Sequence, residues 1–393
     1  MNANIFLPKV QKFLNDRIKD DVHKIALSKS PFAEVSSLEL AEQLDSKKRA
    51  EKKIPLWFST PGIVFPPKLS IEQSSSELTA EYKSRLVRGD KLLDLTGGFG
   101  VDSFYFSKKT NLVVHCEQNR ELSLIAQHNA GVLGFENIRF INTNSIDYLR
   151  KSEDNFDTIY VDPSRRIQSK KVFLLQDTEP DVIANLSLLL SKSSRIIIKT
   201  SPLFDIQSGL KELSNVSAVH VVSVKNDCKE LLWIIDKDFS GETSIVCCAL
   251  SKVKEAPFRF SFSAEKNLNI DSFQAPLSFL YEPDVSLLKA GCFKSIAQYY
   301  NIKKLHQNTH LYTSDLLKQE FIGKIFRVET TLDYKDFIKR NLIKKANVIS
   351  RNFPLTPDEI KKKHKIVDGG DEYLVFTRVF PDSLIVIHGR LSL

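Results

Sequence analysis

Apolar positions along the chain change period twice. From Val10 onward they recur at helical spacing (Val10, Phe13, Leu14, Ile18, Val22, Ile25, Ala26) with charges between them, the pattern of amphipathic helices. Pro31 interrupts it, and Ser37–Lys53 resumes it, ending in the basic runs Lys47-Lys48-Arg49 and Lys52-Lys53. From 54 to 70 prolines and aromatics alternate, which predicts an ordered linker rather than a helix. Ser70–Arg88 is helical again, with the polar start Glu72-Gln73-Ser74-Ser75-Ser76-Glu77. From Lys91 to Asp236 short apolar runs alternate with helical ones. Strands are expected at Lys91–Leu95, Leu112–Glu117, Ile138–Asn142, Thr158–Asp162, Arg195–Thr200, Val219–Val224 and Leu231–Asp236. Helices are expected at Val101–Ser107, Arg120–Leu133, Pro180–Leu190 and Phe204–Leu213. This alternation implies right-handed βαβ crossovers and a doubly wound sheet. The last two strands, with Lys225–Glu230 between them, read as an antiparallel edge pair. Strand-like runs at Ser244–Leu250 and Phe258–Phe262 either finish this domain or begin the next. Gln274–Ser314 is a small mixed segment, and Phe321–Leu393 reads β, α, β, β.

Composition narrows the class. The 393 residues are 42% hydrophobic and 26% charged, as expected for a soluble chain of two or three domains. The net charge of +8 allows a polyanionic partner. Its excess lies late: 281–393 holds 19 Lys/Arg against 13 Asp/Glu. The five cysteines form no C-x-x-C pair and four sit in apolar runs, so they read as reduced thiols in a cytoplasmic protein. The eight histidines show no pair at metal-ligand spacing, and no metal is expected. The first ten residues, with Pro8 and Lys9, argue against a signal peptide. No apolar run approaches the roughly 20 residues that span a membrane.

The chemistry concentrates at Asp94-Leu95-Thr96-Gly97-Gly98-Phe99-Gly100, between the first strand and the first helix. Glycines there permit positive φ and a close approach by a ligand to the backbone. Glu117 closes the second strand, where an acid can hold both hydroxyls of a ribose. A dinucleotide fingerprint needs a third glycine, and Ser103 follows instead. Asp94 ahead of the glycines suits a ligand with a cationic amino group. Together these features imply S-adenosylmethionine. Asp162-Pro163-Ser164-Arg165-Arg166 ends the fourth strand and Lys199 the fifth, on the same sheet edge. Asp162 can position or deprotonate a nucleophile. Arg165 and Arg166 can clamp a phosphate or bond local carbonyls. Lys199 can meet phosphate or pair with Asp162. The run Lys361-Lys362-Lys363-His364-Lys365 reads as a solvated loop or a phosphate contact.

These residues resemble motif I of class I S-adenosylmethionine-dependent methyltransferases. More closely, the chain is similar to the bacterial group that joins this domain to a ferredoxin-like module and a C-terminal THUMP-like domain. The closer likeness rests on 72–80, Asp162–Arg166, Ile198–Pro202, Leu288–Phe293 and His310–Ser314. The resemblance implies cofactor contacts at Gln73, Asp94, Thr96, Gly97, Gly98, Gly100, Glu117, Asn144 and Ser145. It implies a target side built from Asp162, Pro163, Ser164, Arg165, Arg166 and Lys199. Methyltransferases of base amino groups carry a second proline and an aromatic after the acid; Ser164 and Arg165 replace them here.

The expected fold is α/β: a doubly wound, mostly parallel seven-stranded methyltransferase sheet, an N-terminal helical region and a C-terminal α+β, THUMP-like domain. The expected divisions are 1–88, 89–275, 276–320 (ferredoxin-like) and 321–393 (THUMP-like). The expected function is methylation of a nucleotide in structured RNA, tRNA or rRNA. A methyltransferase of protein or small molecules, and a non-catalytic RNA-binding or ribosome-assembly protein, remain as alternatives.

Overall fold

The computed structural model describes residues 2–165 (Arg165 by its backbone), 175–251, 257–270, 272–340 and 343–392. The chain divides into two compact units, Met1–Ser217 with Leu232–Gly241 and Ala218–Leu231 with Glu242–Leu393.

The N-terminal helices are α1 (Pro8–Asp16), α2 (Val22–Leu27), α3 (Ser37–Lys53), α4 (Pro55–Ser59), α5 (Lys68–Gln73) and α6 (Glu77–Ser84). Next come α7 (Val101–Ser107) and α8 (Arg120–Val132). Val10, Leu14, Leu40, Leu44, Trp57 and Phe65 are buried in one cluster with Phe99, Phe104 and Ile125. The N-terminal helices therefore pack onto the helices that follow the glycine turn, within the first unit. Two local expectations change. The linker carries α4, because Pro55 occupies a first-turn position where no N–H is needed. The single helix expected over Ser70–Arg88 is split into α5 and α6. Ser76 starts α6 with a reciprocal cap, accepting from Thr79 N at 3.3 Å while Thr79 Oγ1 accepts from Ser76 N at 3.1 Å. The break leaves Gln73 at the end of α5.

Five strands pair in parallel: β1 (Lys91–Asp94), β2 (Leu112–Cys116), β3 (Ile138–Ile141), β4 (Phe156–Val161) and β5 (Ser193–Thr200), in the order β5-β4-β1-β2-β3. Leu92, Leu93, Val113, Val114, Ile159, Ile196 and Ile197 are fully buried, which is why these strands read as near-continuous apolar runs. Around them lie α9 (Ser145–Lys151), α10 (Val182–Lys192) and α11 (Ile206–Glu212). Four more strands follow: β6 (Val216–Val224), β7 (Asp227–Asp236), β8 (Ser244–Leu250) and β9 (Phe258–Phe260). The full order is β9-β8-β6-β7-β5-β4-β1-β2-β3. The sheet thus has nine strands where seven were expected, the additional pair coming from the two runs at 244–262. Strand β7 starts at Asp227 rather than Leu231 because the turn is two residues, Lys225 and Asn226, both at positive φ (52° and 59°).

The second unit adds a seven-stranded sheet. Its strands are β10 (Phe279–Pro283), β11 (Lys303–His306), β12 (Thr309–Ser314), β13 (Gly323–Asp333), β14 (Asn347–Ser350), β15 (Glu372–Val379) and β16 (Ser383–Leu391), in the order β11-β12-β10-β13-β16-β15-β14. β10 pairs antiparallel with both β12 and β13. One sheet therefore runs through both segments that sequence reading separates near 320. The unit's helices are α12 (Phe262–Asn267), α13 (Val285–Ala290), α14 (Phe293–Tyr300), α15 (Tyr334–Arg340) and α16 (Pro357–His364). The basic run expected in a loop lies largely on α16, which Thr356 caps. Lys361 pairs with Asp358 at 3.0 Å, and Lys363 lies 5.5 Å from the Tyr334 ring centre.

Candidate active site

The glycine turn is shaped from below. Gly98 and Gly100 have φ of +56° and +87°, a region that disfavours any residue with a Cβ. Gly97 is constrained by space instead: an added Cβ would lie 2.2 Å from the His115 ring. Its N–H donates to Cys116 O at 2.9 Å, tying the turn to β2. Asp94 is fully buried. Its carboxylate accepts from Thr96 N at 3.0 Å and Ser103 Oγ at 2.5 Å, and Ser103 Oγ lies 3.0 Å from His115 Nδ1. Burial pushes the Asp94 carboxyl up to about 7, although its hydrogen bonds with Ser103 and Thr96 pull the other way. Burial drives the His115 imidazole down to about 3.

Above the turn, at the carboxyl ends of β1, β2, β3 and β4, a cleft of about 640 Å³ opens. Gln73, Thr96, Gly98, Glu117, Asn144 and Ser145 line it, with Asp162 and Ser164 on the other side. Asp94, Gly97 and Gly100 do not line it. The hydrogen bonds of the Asp94 carboxylate hold the turn's own backbone and Ser103. Glu117 faces the cleft while bracing it. Its Oε2 accepts from Gly98 N at 2.9 Å and its Oε1 from Asn119 N at 2.7 Å. Asn144 is the cap of α9, accepting from Ile146 N and Asp147 N at 3.0 and 3.2 Å.

At the end of β4, Asp162 N donates to Thr96 Oγ1 at 2.7 Å, which ties that strand end to the glycine turn. The Asp162 carboxylate is ion-paired and hydrogen-bonded with Lys199 Nζ. Of the two roles that sequence reading leaves open for Lys199, the structure shows the pairing. Pro163 leads into Ser164–Arg165, which pairs antiparallel with Thr178–Glu179. Arg166 lies outside the described residues, as does the Arg165 side chain. Glu179, Pro180, Asp181 and Asn185 form a wall that sequence reading missed, as it did Gln118, Thr143, Asp147 and Arg150. Gln118 and Thr143 were findable, since they immediately follow two expected strand ends. The Glu179–Asn185 wall follows a long segment after β4 and carries no local signal.

A buried polar cluster lies behind the Gln73 rim. Lys83 Nζ is 3.3 Å from Asp102 Oδ1 and donates to Ser75 Oγ at 2.9 Å. Asp102 Oδ2 accepts from Ser75 Oγ at 2.7 Å and from Tyr160 OH at 3.0 Å. This cluster links α6, α7, β4 and the serine run between α5 and α6. In the second unit, Glu329, Glu372 and His388 approach one another, and Arg390 pairs with both carboxylates, at 3.4 Å and 2.6 Å.

The parallel sheet, the glycine turn and the cleft over the strand ends define a Rossmann-like α/β protein of the methyltransferase type. Residues 279–321 match a ferredoxin-like domain family, and 323–390 match a THUMP domain-like family. A crystal structure from Porphyromonas gingivalis W83, assigned as a methyltransferase, superposes with a TM-score of 0.92 at 30% identity, covering 100% of both chains. The chain belongs to the family of that protein. An uncharacterized RNA methyltransferase of Mycoplasma mobile is 26% identical over 180 residues, 42% of this chain. The chain spans about half the length of that curated relative, 50%. Among the described residues no helix is long and apolar enough to cross a membrane.

Proposed function

We propose that the protein is a cytoplasmic enzyme that transfers the methyl group of S-adenosylmethionine to a nucleotide of structured RNA, tRNA or rRNA. The observation that carries this reading is one cleft with a ribose-type acid, Glu117, on one side and Asp162 on the other. The residues fit the cofactor. Glu117 is fixed by two backbone N–H groups and presents its carboxylate to the cleft, as ribose hydroxyls require. Gly98 brings bare backbone to the same wall. Gln73 would close the rim, and Asn144 and Ser145 would flank the adenine. When bound, the cofactor supplies an electrophilic methyl group. The chain's own work is to align the acceptor beside Asp162 and exclude competing water.

RNA as the acceptor is supported by the THUMP-like match over 323–390 and by the name of the Mycoplasma relative. We assign cofactor and target binding to the region 89–275, with Gln73 contributed from the helices before it, and RNA capture to the two C-terminal modules, 276–320 and 321–393.

Calorimetry with S-adenosylmethionine tests the reading. Glu117→Ala loses a charge-assisted contact of about 1.5–3 kcal/mol, so binding should weaken roughly 10- to 150-fold. Asp162→Asn should keep binding and lose transfer. Absence of wild-type binding at millimolar cofactor would refute the proposal.

A further inference from the structure

We infer that the atom methylated is a hydroxyl oxygen, the ribose 2′-hydroxyl, and not an exocyclic nitrogen of a base. This rests on the reading of the cleft as an RNA methyl-transfer site and narrows it to one acceptor chemistry.

The inference starts from Asp162 and Lys199. Strands β4 and β5 are parallel neighbours with Val161 opposite Ile198, so the next residue of each, Asp162 just past β4 and Lys199 near the end of β5, stands beside the other. Their side chains are paired. Both keep some exposure, 33% for Asp162 and 15% for Lys199, and Asp162 lines the cleft. Thr96 Oγ1 fixes the Asp162 backbone at 2.7 Å, so the pair is held against the glycine turn. A carboxylate and an ammonium thus stand together where the acceptor must arrive.

The sign of the charge on Lys199 separates the acceptor classes. A neutral amine that attacks a methyl sulfonium gains positive charge as its new bond forms. A fixed ammonium alongside opposes that development by Coulomb repulsion. A hydroxyl attacks while losing its proton, so its oxygen gains negative charge, and the same ammonium stabilises it. Asp162 beside it serves as the proton acceptor. A second observation agrees. A base presented for amino-group methylation is usually held by stacking on an aromatic ring. Among the described residues lining the cleft there is no Phe, Tyr or Trp; the apolar ones are Leu95, Cys116, Ile146 and Pro180. In RNA the hydroxyl available along the chain is the ribose 2′-hydroxyl.

The step balances as follows. The acceptor O–H bond breaks and its proton goes to the Asp162 carboxylate. The oxygen forms a bond to the methyl carbon. The carbon–sulfur bond breaks, and its electron pair stays on sulfur, which becomes a neutral thioether. Asp162 then releases the proton to water, and its ion pair with Lys199 is restored.

The test uses the full chain, methyl-labelled S-adenosylmethionine and total RNA from cells lacking the gene. After alkaline hydrolysis the label should appear in alkali-resistant dinucleotides, because a methylated 2′-oxygen cannot attack the neighbouring phosphate. Label in mononucleotides would overturn the inference while leaving RNA methylation intact. No label in RNA, from protein that binds the cofactor, would remove the RNA reading and this one with it. Lys199→Met should lower turnover about 100-fold and leave calorimetric cofactor affinity within about twofold of wild type, a difference small beside the tenfold steps of binding free energy. Lys199→Arg, which keeps the cation, should recover most of the turnover. Equal turnover in Lys199→Met and wild type would also overturn it.

Discussion

Replacing Lys83 by Met tests how the cofactor-binding half is held together. The Lys83 side chain has no exposure and Asp102 has 12%, with Nζ 3.3 Å from Oδ1. At an effective dielectric constant of about 20, unit charges at that separation attract by about 5 kcal/mol. Part of this is offset by desolvation, so the pair's net worth is smaller. Removing one partner is different, because it leaves the other charge buried without compensation, at a cost of about 3–5 kcal/mol. Asp102 would keep Ser75 and Tyr160 as donors but lose its counter-charge. For a unit of this size each kcal/mol moves the melting temperature by about 2–4 °C, so Lys83→Met should melt about 6–20 °C lower. The assay is thermal unfolding followed by circular dichroism, with urea midpoints alongside. Lys83→Met with Asp102→Asn should recover much of the loss, since the amide oxygen still accepts from Ser75 and Tyr160 and no lone charge remains. A melting temperature for Lys83→Met within 2 °C of wild type, about 1 kcal/mol or less, would refute the reasoning. So would a double variant whose loss equals the sum of the two single losses.

Gly97→Ala should cost about 1–3 kcal/mol, because its Cβ must displace the His115 ring, and urea unfolding reads this directly. Asp94 and His115 should give opposing pH slopes. Folded Asp94 keeps its proton to about pH 7, against an ordinary value of 3.8, so its contribution to stability falls as pH rises through that window. Folded His115 stays neutral down to about pH 3, against an ordinary value of 6.5, so its contribution is lost as pH falls through that window. Each slope is about 1.4 kcal/mol per pH unit, and they oppose between about pH 4 and 6.5. Asp94→Asn should therefore lose stability toward acid more steeply than wild type, and His115→Gln should lose it toward neutral pH. Identical pH dependence of the urea midpoint in all three proteins would contradict this.

Sequence alone determined the elements whose cause is local. The apolar runs ending at Asp94, Glu117 and Asp162 announce parallel strands, and the glycines between Thr96 and Val101 announce a turn with positive φ. Period and backbone freedom are properties of neighbouring residues, so they can be read along the chain. From them follow the cleft's position and the placement of Thr96, Gly98, Glu117, Asn144, Ser145, Asp162 and Ser164 around it, while Gln73, on a helix ahead of the first strand, reaches the cleft only through packing. Tertiary structure decided what depends on residues far apart in the chain. Asp94 closes the expected first strand, yet packing buries its carboxylate fully and bonds it to Ser103 and the turn's own backbone. Lys83 looks like an ordinary solvated helix lysine until α6 packs against α7 and encloses it with Asp102. Lys199 had two open roles until the register of β4 and β5 set it beside Asp162. A residue's type fixes what it can donate, accept or repel; which partner it meets is set by the packing of strands and helices from distant parts of the chain.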